Sequence, residues 1–223
     1  MARFDRLTVY KEVLECGLVP LFYNADVQVS QHIVAALAQG GARIVEFTNR
    51  GDKAHDVFKA LGAFCEQEHP QLVLGVGSVL DAPTAALYIA AGANFIVAPI
   101  FDIETARLCN KRKIPYIPGC GSVNEISTAE EWGVEIVKIF PGAQVGGPGF
   151  VKAVRGPMPW TRLMPTGGVD ATRESIDSWI KAGACAVGMG SKLVTKELVA
   201  AGDYVSIRDK VRLCLDWIRE ARG

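Results

Sequence analysis

The sequence predicts an α/β chain closed into a single (β/α)8 barrel, with one extra helix before the first strand and another after the last. Three observations carry that prediction. Short apolar runs of strand length alternate with longer amphipathic stretches along all 223 residues, the pattern of a parallel sheet whose crossovers are helices. A Gly-led segment recurs at the junctions where helices give way to strands. No linker or low-complexity tract divides the chain, so residues 1–223 are expected to form one domain. About half the residues are hydrophobic (49%), enough for a sizeable core. Barrels of this type usually run to about 250 residues, so this one is expected to be compact.

The elements follow in order. A helix over 4–15 precedes the first strand, 19–23. Helix 30–39 leads to strand 43–47, helix 52–68 to strand 72–76, and helix 82–91 to strand 95–98. Helix 103–111 leads to strand 115–118, and helix 123–131 to strand 135–139. Helix 150–154 leads to strand 162–165, and helix 172–181 to strand 184–187. Helix 192–199 and a closing helix over 204–222 complete the chain. The strands are β-rich or wholly apolar runs bounded by Gly, Pro or polar residues.

The repeat reads Gly41-Ala42-Arg43-Ile44-Val45, then Gly92-Ala93-Asn94-Phe95-Ile96-Val97, then Gly133-Val134-Glu135-Ile136-Val137, then Gly183-Ala184-Cys185-Ala186-Val187. Each copy stands where a helix ends and an even-numbered strand begins. The glycine tolerates a left-handed cap. A module of two βα units used four times gives this pattern, as does the general suitability of Gly plus a small residue for leaving a helix.

Composition narrows the function classes. Lys plus Arg and Asp plus Glu both number 24, so no net charge draws the chain to nucleic acid or an anionic membrane. No apolar run reaches the length of a membrane span, and the N-terminal residues lack the apolar stretch of a signal peptide. A cytoplasmic protein is expected. The six cysteines form no Cys-x-x-Cys pair and read as reduced thiols packed as small hydrophobes. The alternative is a single reactive thiol, for which Cys120 is the best candidate, because Pro118, Gly119 and Gly121 place it in a loop. The three histidines fall in helical stretches without ligand spacing, so no metal site is expected.

In a barrel the chemistry sits where strands end and loops begin. The second predicted strand continues as Glu46-Phe47-Thr48-Asn49-Arg50. Side chains alternate faces along a strand, so Ile44, Glu46 and Thr48 share one face. Glu46 interrupts an otherwise apolar strand, and burial raises the pKa of a carboxyl toward that of a proton shuttle. The sixth predicted strand carries Lys138 on the face of Ile136 and Phe140. A buried lysine is costly unless paired or neutral, and a neutral amine is a nucleophile toward carbonyls. The same two residues also admit a structural ion pair inside the barrel. Late in the chain, Pro165-Thr166-Gly167-Gly168 follows the seventh strand. Gly188-Met189-Gly190-Ser191 is expected after the eighth, opening a helix. Loops at these two positions are the usual phosphate site of the fold, because glycines let backbone N–H groups approach an anion.

From about Glu12 to Tyr204 the chain resembles the aldolase family acting on 2-keto-3-deoxy-6-phosphogluconate and 4-hydroxy-2-oxoglutarate. The resemblance rests on Val45-Glu46-Phe47-Thr48-Asn49-Arg50, Gly75-Val76-Gly77-Ser78-Val79-Leu80, Ile117-Pro118-Gly119, Val137-Lys138-Ile139-Phe140-Pro141 and Pro165-Thr166-Gly167-Gly168, in that order. It implies a TIM barrel and a class I lyase that frees pyruvate and an aldehyde from a 2-keto-4-hydroxy acid. Lys138 is then the imine-forming lysine and Glu46 the acid/base carboxylate. Arg50 and Ser78 hold the substrate carboxylate, Ser78 standing where Thr is usual. Thr48, Pro99 and Phe140 line the pocket. Thr166, Gly167, Gly168, Gly190 and Ser191 take the phosphate. The resemblance further implies a homotrimer that needs no metal or organic cofactor. The chain departs from the family pattern at Asn49, Gly51, Ile100-Phe101, Cys120-Gly121 and Gly142, which leaves the aldehyde half of the substrate open.

Overall fold

The computed structural model describes residues 2–223. The strand segments are β1 (Leu18–Phe22), β2 (Ile44–Thr48), β3 (Val73–Gly77), β4 (Ile96–Val97), β5 (Tyr116–Ile117), β6 (Gly119–Cys120), β7 (Val137–Ile139), β8 (Leu163–Pro165) and β9 (Val187–Met189). The helices are α1 (Arg6–Cys16), α2 (Val27–Gln39), α3 (Ala54–Glu68), α4 (Ala82–Ala90), α5 (Ile103–Arg112), α6 (Val123–Glu131), α7 (Gly147–Arg155), α8 (Arg173–Lys181), α9 (Lys196–Ala200) and α10 (Tyr204–Arg222).

All the strand pairings are parallel, and they close a ring. One run of six goes β5-β4-β3-β2-β1-β9 and a run of three goes β6-β7-β8. β5 and β6 are one strand interrupted at Pro118. Proline has no N–H to donate, so the ladder changes partner there. Tyr116 and Ile117 pair with β4, Gly119 and Cys120 with β7, while the Pro118 carbonyl accepts from Lys138 N–H at 2.9 Å. At the other seam a parallel bridge joins Thr166 to Gly188, and Cys185 N–H donates to the Leu163 carbonyl at 2.9 Å. The result is an eight-stranded barrel with α1 and α10 added at the ends of the chain, as the sequence predicts.

The recurring glycines do the same job four times. Gly41, Gly92, Gly133 and Gly183 all have positive φ, between 79° and 104°. The N–H of each donates three residues back, to Ala38, Ile89, Glu130 and Ile180 respectively. The next residue donates five back: Ala42 to Leu37, Ala93 to Tyr88, Val134 to Ala129 and Ala184 to Trp179. This paired pattern is the Schellman ending, which satisfies the last helical carbonyls and requires a left-handed residue. It also drops Ala42, Ala93, Val134 and Ala184 into the core, so each turn aims the chain into its strand.

Several boundaries differ from expectation. α2 begins at Val27 rather than residue 30, because Asp26 accepts from Val29 N–H and caps it. α7 begins at Gly147, three residues earlier than predicted and inside a Gly-Pro-Gly run. The last barrel strand is Val187–Met189, not 184–187, because Gly183 and Ala184 are spent on the helix ending and pairing with β1 begins at Val187. Gly188 and Met189 therefore lie within that strand, and Ser191 does not open a helix. Leu193 and Val194 N–H both fold back onto the Gly190 carbonyl, a single turn. α9 starts only at Lys196, capped by Thr195. Cys120 is in β6, paired with Ile139, and not in a loop.

Candidate active site

In the closed ring β2 and β7 stand diametrically opposite, with β3, β4 and the β5/β6 strand on one side and β1, β9 and β8 on the other. Inward side chains from these two strands meet on the barrel axis. The register shows which ones are inward. Phe47 packs against Phe58 of α3, ring centroids 6.4 Å apart, so it faces the helices; Ile44, Glu46 and Thr48 consequently face the lumen. Their partners on β3 are Val73, Gly75 and Gly77. A Cβ on Gly75 would run into the Phe95 ring, and one on Gly77 into the Glu46 carboxylate. The two glycines therefore clear room for a phenyl below and a carboxylate above. Lys138 pairs with Gly119 and with Met164. At Gly119 the space of a Cβ is taken by the Pro99 backbone, and at Gly188 by the Thr166 hydroxyl. Four glycines, Gly75, Gly77, Gly119 and Gly188, thus stand among the inward positions of the barrel around Glu46 and Lys138.

Both groups are buried, Glu46 with 1% of its surface exposed and Lys138 with 5%. Burial pushes the Glu46 carboxyl up from the ordinary glutamate range, with Lys138 and then Arg50 opposing. Burial pushes the Lys138 amine down, Glu46 opposing and Arg50 assisting. Each group is driven toward its neutral form. They feel one another without contact: among the described residues no ion pair within 4.0 Å joins Lys138 to Glu46, or Glu46 to Arg50. One Glu46 oxygen, Oε2, is fully enclosed and lacks a hydrogen-bond partner. The structural ion pair is therefore not what the barrel contains. Lys138 Nζ instead sits over the Phe140 ring, 4.8 Å from its centroid. That distance is within the range of a cation–π contact, and the ring shields the amine from water.

Arg50, just beyond β2, is exposed, and its Nε lies 3.4 Å from Ser78 Oγ. Ser78 has φ +59°, a left-handed conformation rare for a residue with a side chain. The hydroxyl of Thr48 donates to the Phe22 carbonyl at 3.2 Å, which ties β2 to β1. Around the mouth, Arg50, Gly190 and Ser191 line one cavity of about 450 Å3. Pro99, Phe140 and Gly119 line another of about 430 Å3. Thr166, Gly167 and Gly168 border neither, but the Thr166–Gly188 bridge brings their loop beside Gly190. Gly167 and Gly168 both have positive φ. The loop carbonyls are held: Gly142 N–H donates to Thr166 O, Ala143 N–H to Gly167 O and Trp179 Nε1–H to Gly168 O.

The Cys120 side chain is buried, and burial followed by Glu125 and Glu130 pushes its thiol up to about 12. It is a packing residue. Two features escaped the sequence reading. Gly77 makes room for the Glu46 carboxylate and Gly188 for the Thr166 hydroxyl, and the alternation Gly75-Val76-Gly77 on a strand is the sign available for the first. Tyr23, at the end of β1, shares the Arg50 cavity, and nothing in its neighbourhood marked it.

An amine and a carboxyl opposed on a barrel axis, both biased to the neutral form, suit chemistry at a carbonyl, and the enzyme class they point to is the carbon–carbon lyases. The comparisons give the same answer. Residues 9–210 match the family model described as KDPG and KHG aldolase. The 2-dehydro-3-deoxy-phosphogluconate aldolase of Pseudomonas aeruginosa is 34% identical over 221 residues, covering 99% of this chain and 96% of its own. The KHG/KDPG aldolase of Escherichia coli K12 is 30% identical over 206 residues, covering 92% and 94%. The crystal structure of KDPG aldolase from Legionella pneumophila, with pyruvate captured as a covalent carbinolamine intermediate, superposes with a TM-score of 0.82 at 26% identity, covering 90% of this chain and 96% of that one. The chain belongs to the KDPG and KHG aldolase family, and it is an aldehyde-lyase.

Proposed function

We propose that Lys138 forms the imine and Glu46 moves the protons in cleavage of a 2-keto-4-hydroxy acid. The substrate is 2-keto-3-deoxy-6-phosphogluconate or 4-hydroxy-2-oxoglutarate, released as pyruvate plus glyceraldehyde 3-phosphate or glyoxylate. The observation that carries this is the opposition of the two buried groups across the barrel. The Lys138 lone pair attacks the C2 ketone, and Glu46, through water, delivers the proton with which the carbinolamine hydroxyl leaves. Removal of the C4 hydroxyl proton breaks the C3–C4 bond, and its electrons flow into the protonated imine. The aldehyde departs, the enamine is protonated at C3, and hydrolysis returns pyruvate and the free amine. Lysine serves as nucleophile and electron sink, so the sequence needs no metal or organic cofactor.

Arg50 and Ser78 hold the carboxylate, a role suited to the planar guanidinium. Thr48, Pro99 and Phe140 wall the pocket. The Thr166–Gly168 loop and Gly190-Ser191 receive the phosphate, supported by their adjacency at the β8–β9 seam. This reading takes residues 1–223 as one catalytic domain working in the cytoplasm as a homotrimer. The test is trapping. Borohydride with pyruvate leaves a covalent adduct that maps to Lys138 alone and abolishes activity, while Lys138→Arg is inactive and unlabelled. Full activity after exhaustive treatment would overturn the imine mechanism.

A further inference from the structure

We propose that Tyr23 is a specificity-determining residue whose hydroxyl binds a hydroxyl group on the aldehyde-derived half of the substrate, favouring sugar-derived 2-keto-4-hydroxy acids over short dicarboxylates. The proposal rests on the reading above, in which Lys138 and Arg50 hold the keto-acid end.

Tyr23 follows β1 directly and is half-buried. Its ring leans on Phe47, with centroids 5.7 Å apart. Its hydroxyl lies over Gly51, where a Cβ would collide with the phenol oxygen. Tyr23 thus occupies the space that a side chain at position 51 would fill. The backbone at Gly51 does not itself demand glycine, since its φ lies outside the left-handed range; the close approach of the phenol is the reason for it. Among the described residues the Tyr23 hydroxyl has no hydrogen-bond partner, unlike Tyr88, which donates to Asn49 Oδ1 at 2.9 Å.

The rim order locates the ligand group it meets. Successive strand ends present Ser78 from β3, Arg50 from β2, Tyr23 from β1 and Gly190-Ser191 from β9. Tyr23, Arg50, Gly190 and Ser191 line the same cavity of about 450 Å3. Tyr23 therefore stands between the carboxylate end and the phosphate end, beside the middle of an extended substrate. In 2-keto-3-deoxy-6-phosphogluconate that middle carries hydroxyls at C4 and C5. In 4-hydroxy-2-oxoglutarate C5 is already a carboxylate, and no further hydroxyl is present. The phenol can both donate to and accept from the C5 hydroxyl, whereas a carboxylate at that position offers it no donor and brings a charge that Tyr23 does not neutralise.

The test compares kcat/KM of the purified full chain for these two substrates. Tyr23→Phe lowers the ratio, long over short, by about three- to tenfold, the effect of one neutral hydrogen bond. Gly51→Ala lowers it in the same direction by displacing the phenol, and guards against a folding defect in either variant. A ratio unchanged in both variants, with melting curves like the parent's, overturns the proposal. Failure of the parent to cleave either acid would instead refute the lyase reading itself, so the two failures are distinguishable.

Discussion

Lys138 and Glu46 are expensive residues to bury, and the expense bears on the roles proposed for them. A lysine on a sheet lumen loses its hydration, and the barrel supplies an aromatic face rather than a contacting carboxylate. Its amine is consequently free below the ordinary lysine value. The rate of borohydride trapping with pyruvate is expected to level off well below that value; a rate still climbing through it would contradict a desolvated nucleophile. Glu46 has the opposite sign. Its folded pKa is raised, so between the unfolded and folded values the native state holds more protons than the unfolded one, and stability falls as pH rises. Below the ordinary glutamate range the carboxyl is neutral in both states and the penalty vanishes. Glu46→Gln is therefore expected to melt above the parent at pH 8, by about 2–4 °C for each kcal/mol recovered, and the gain shrinks in acid. The same variant loses about 10²- to 10⁴-fold in kcat, the scale of general acid–base catalysis. A variant that melts lower at pH 8, or turns over normally, defeats this account of Glu46.

The elements show why part of the design was legible and part was not. Alternation along a strand put Glu46 with Ile44 and Thr48, and Lys138 with Phe140, and both groupings are real. The four glycine turns were legible because a left-handed cap needs a particular residue. Gly92 isolates that requirement: its φ is +98°, and a Cβ there meets nothing within 4 Å. Gly92→Ala is expected to destabilise by about 1–2 kcal/mol from backbone strain alone and to leave activity intact. Gly183→Ala costs more, since its φ of +104° is joined by a collision with the Arg155 side chain. Equal melting points for the two would show that φ, not space, decides both. Strand ends were read less well, because they depend on partners distant in sequence. Val187 begins β9 only because Leu18 lies opposite. The break at Pro118 depends on β4 and β7 claiming different halves of one strand. α9 was misread because Thr195, rather than the first amphipathic residue, sets its start.

At the scale of the whole molecule, closure turns two residues 92 positions apart in sequence into a facing pair. Closure also decides which surface stays available, since both faces of the strands are covered and only helices and rims remain. Most large apolar side chains are buried, but a group is not. Leu80 precedes α4 and Leu87 sits on it, Ile100 precedes α5 and Ile103 starts it, and Val123 starts α6, each at least 38% exposed. They belong to consecutive βα units, and α4 packs against α5. We take these residues as the contact of the homotrimer proposed above; Leu7, Trp160, Val205 and Leu213, on other elements, are the remaining exposed large apolar side chains among the described residues. Sedimentation at micromolar concentration is expected to find a particle of three times the 24.0 kDa chain mass. A Leu87→Glu, Ile103→Glu double variant puts two charges on that face and is expected to sediment as the monomer while keeping its barrel, read by circular dichroism. A parent that sediments as a monomer refutes the trimer. A double variant that remains trimeric moves the interface to another face of the barrel.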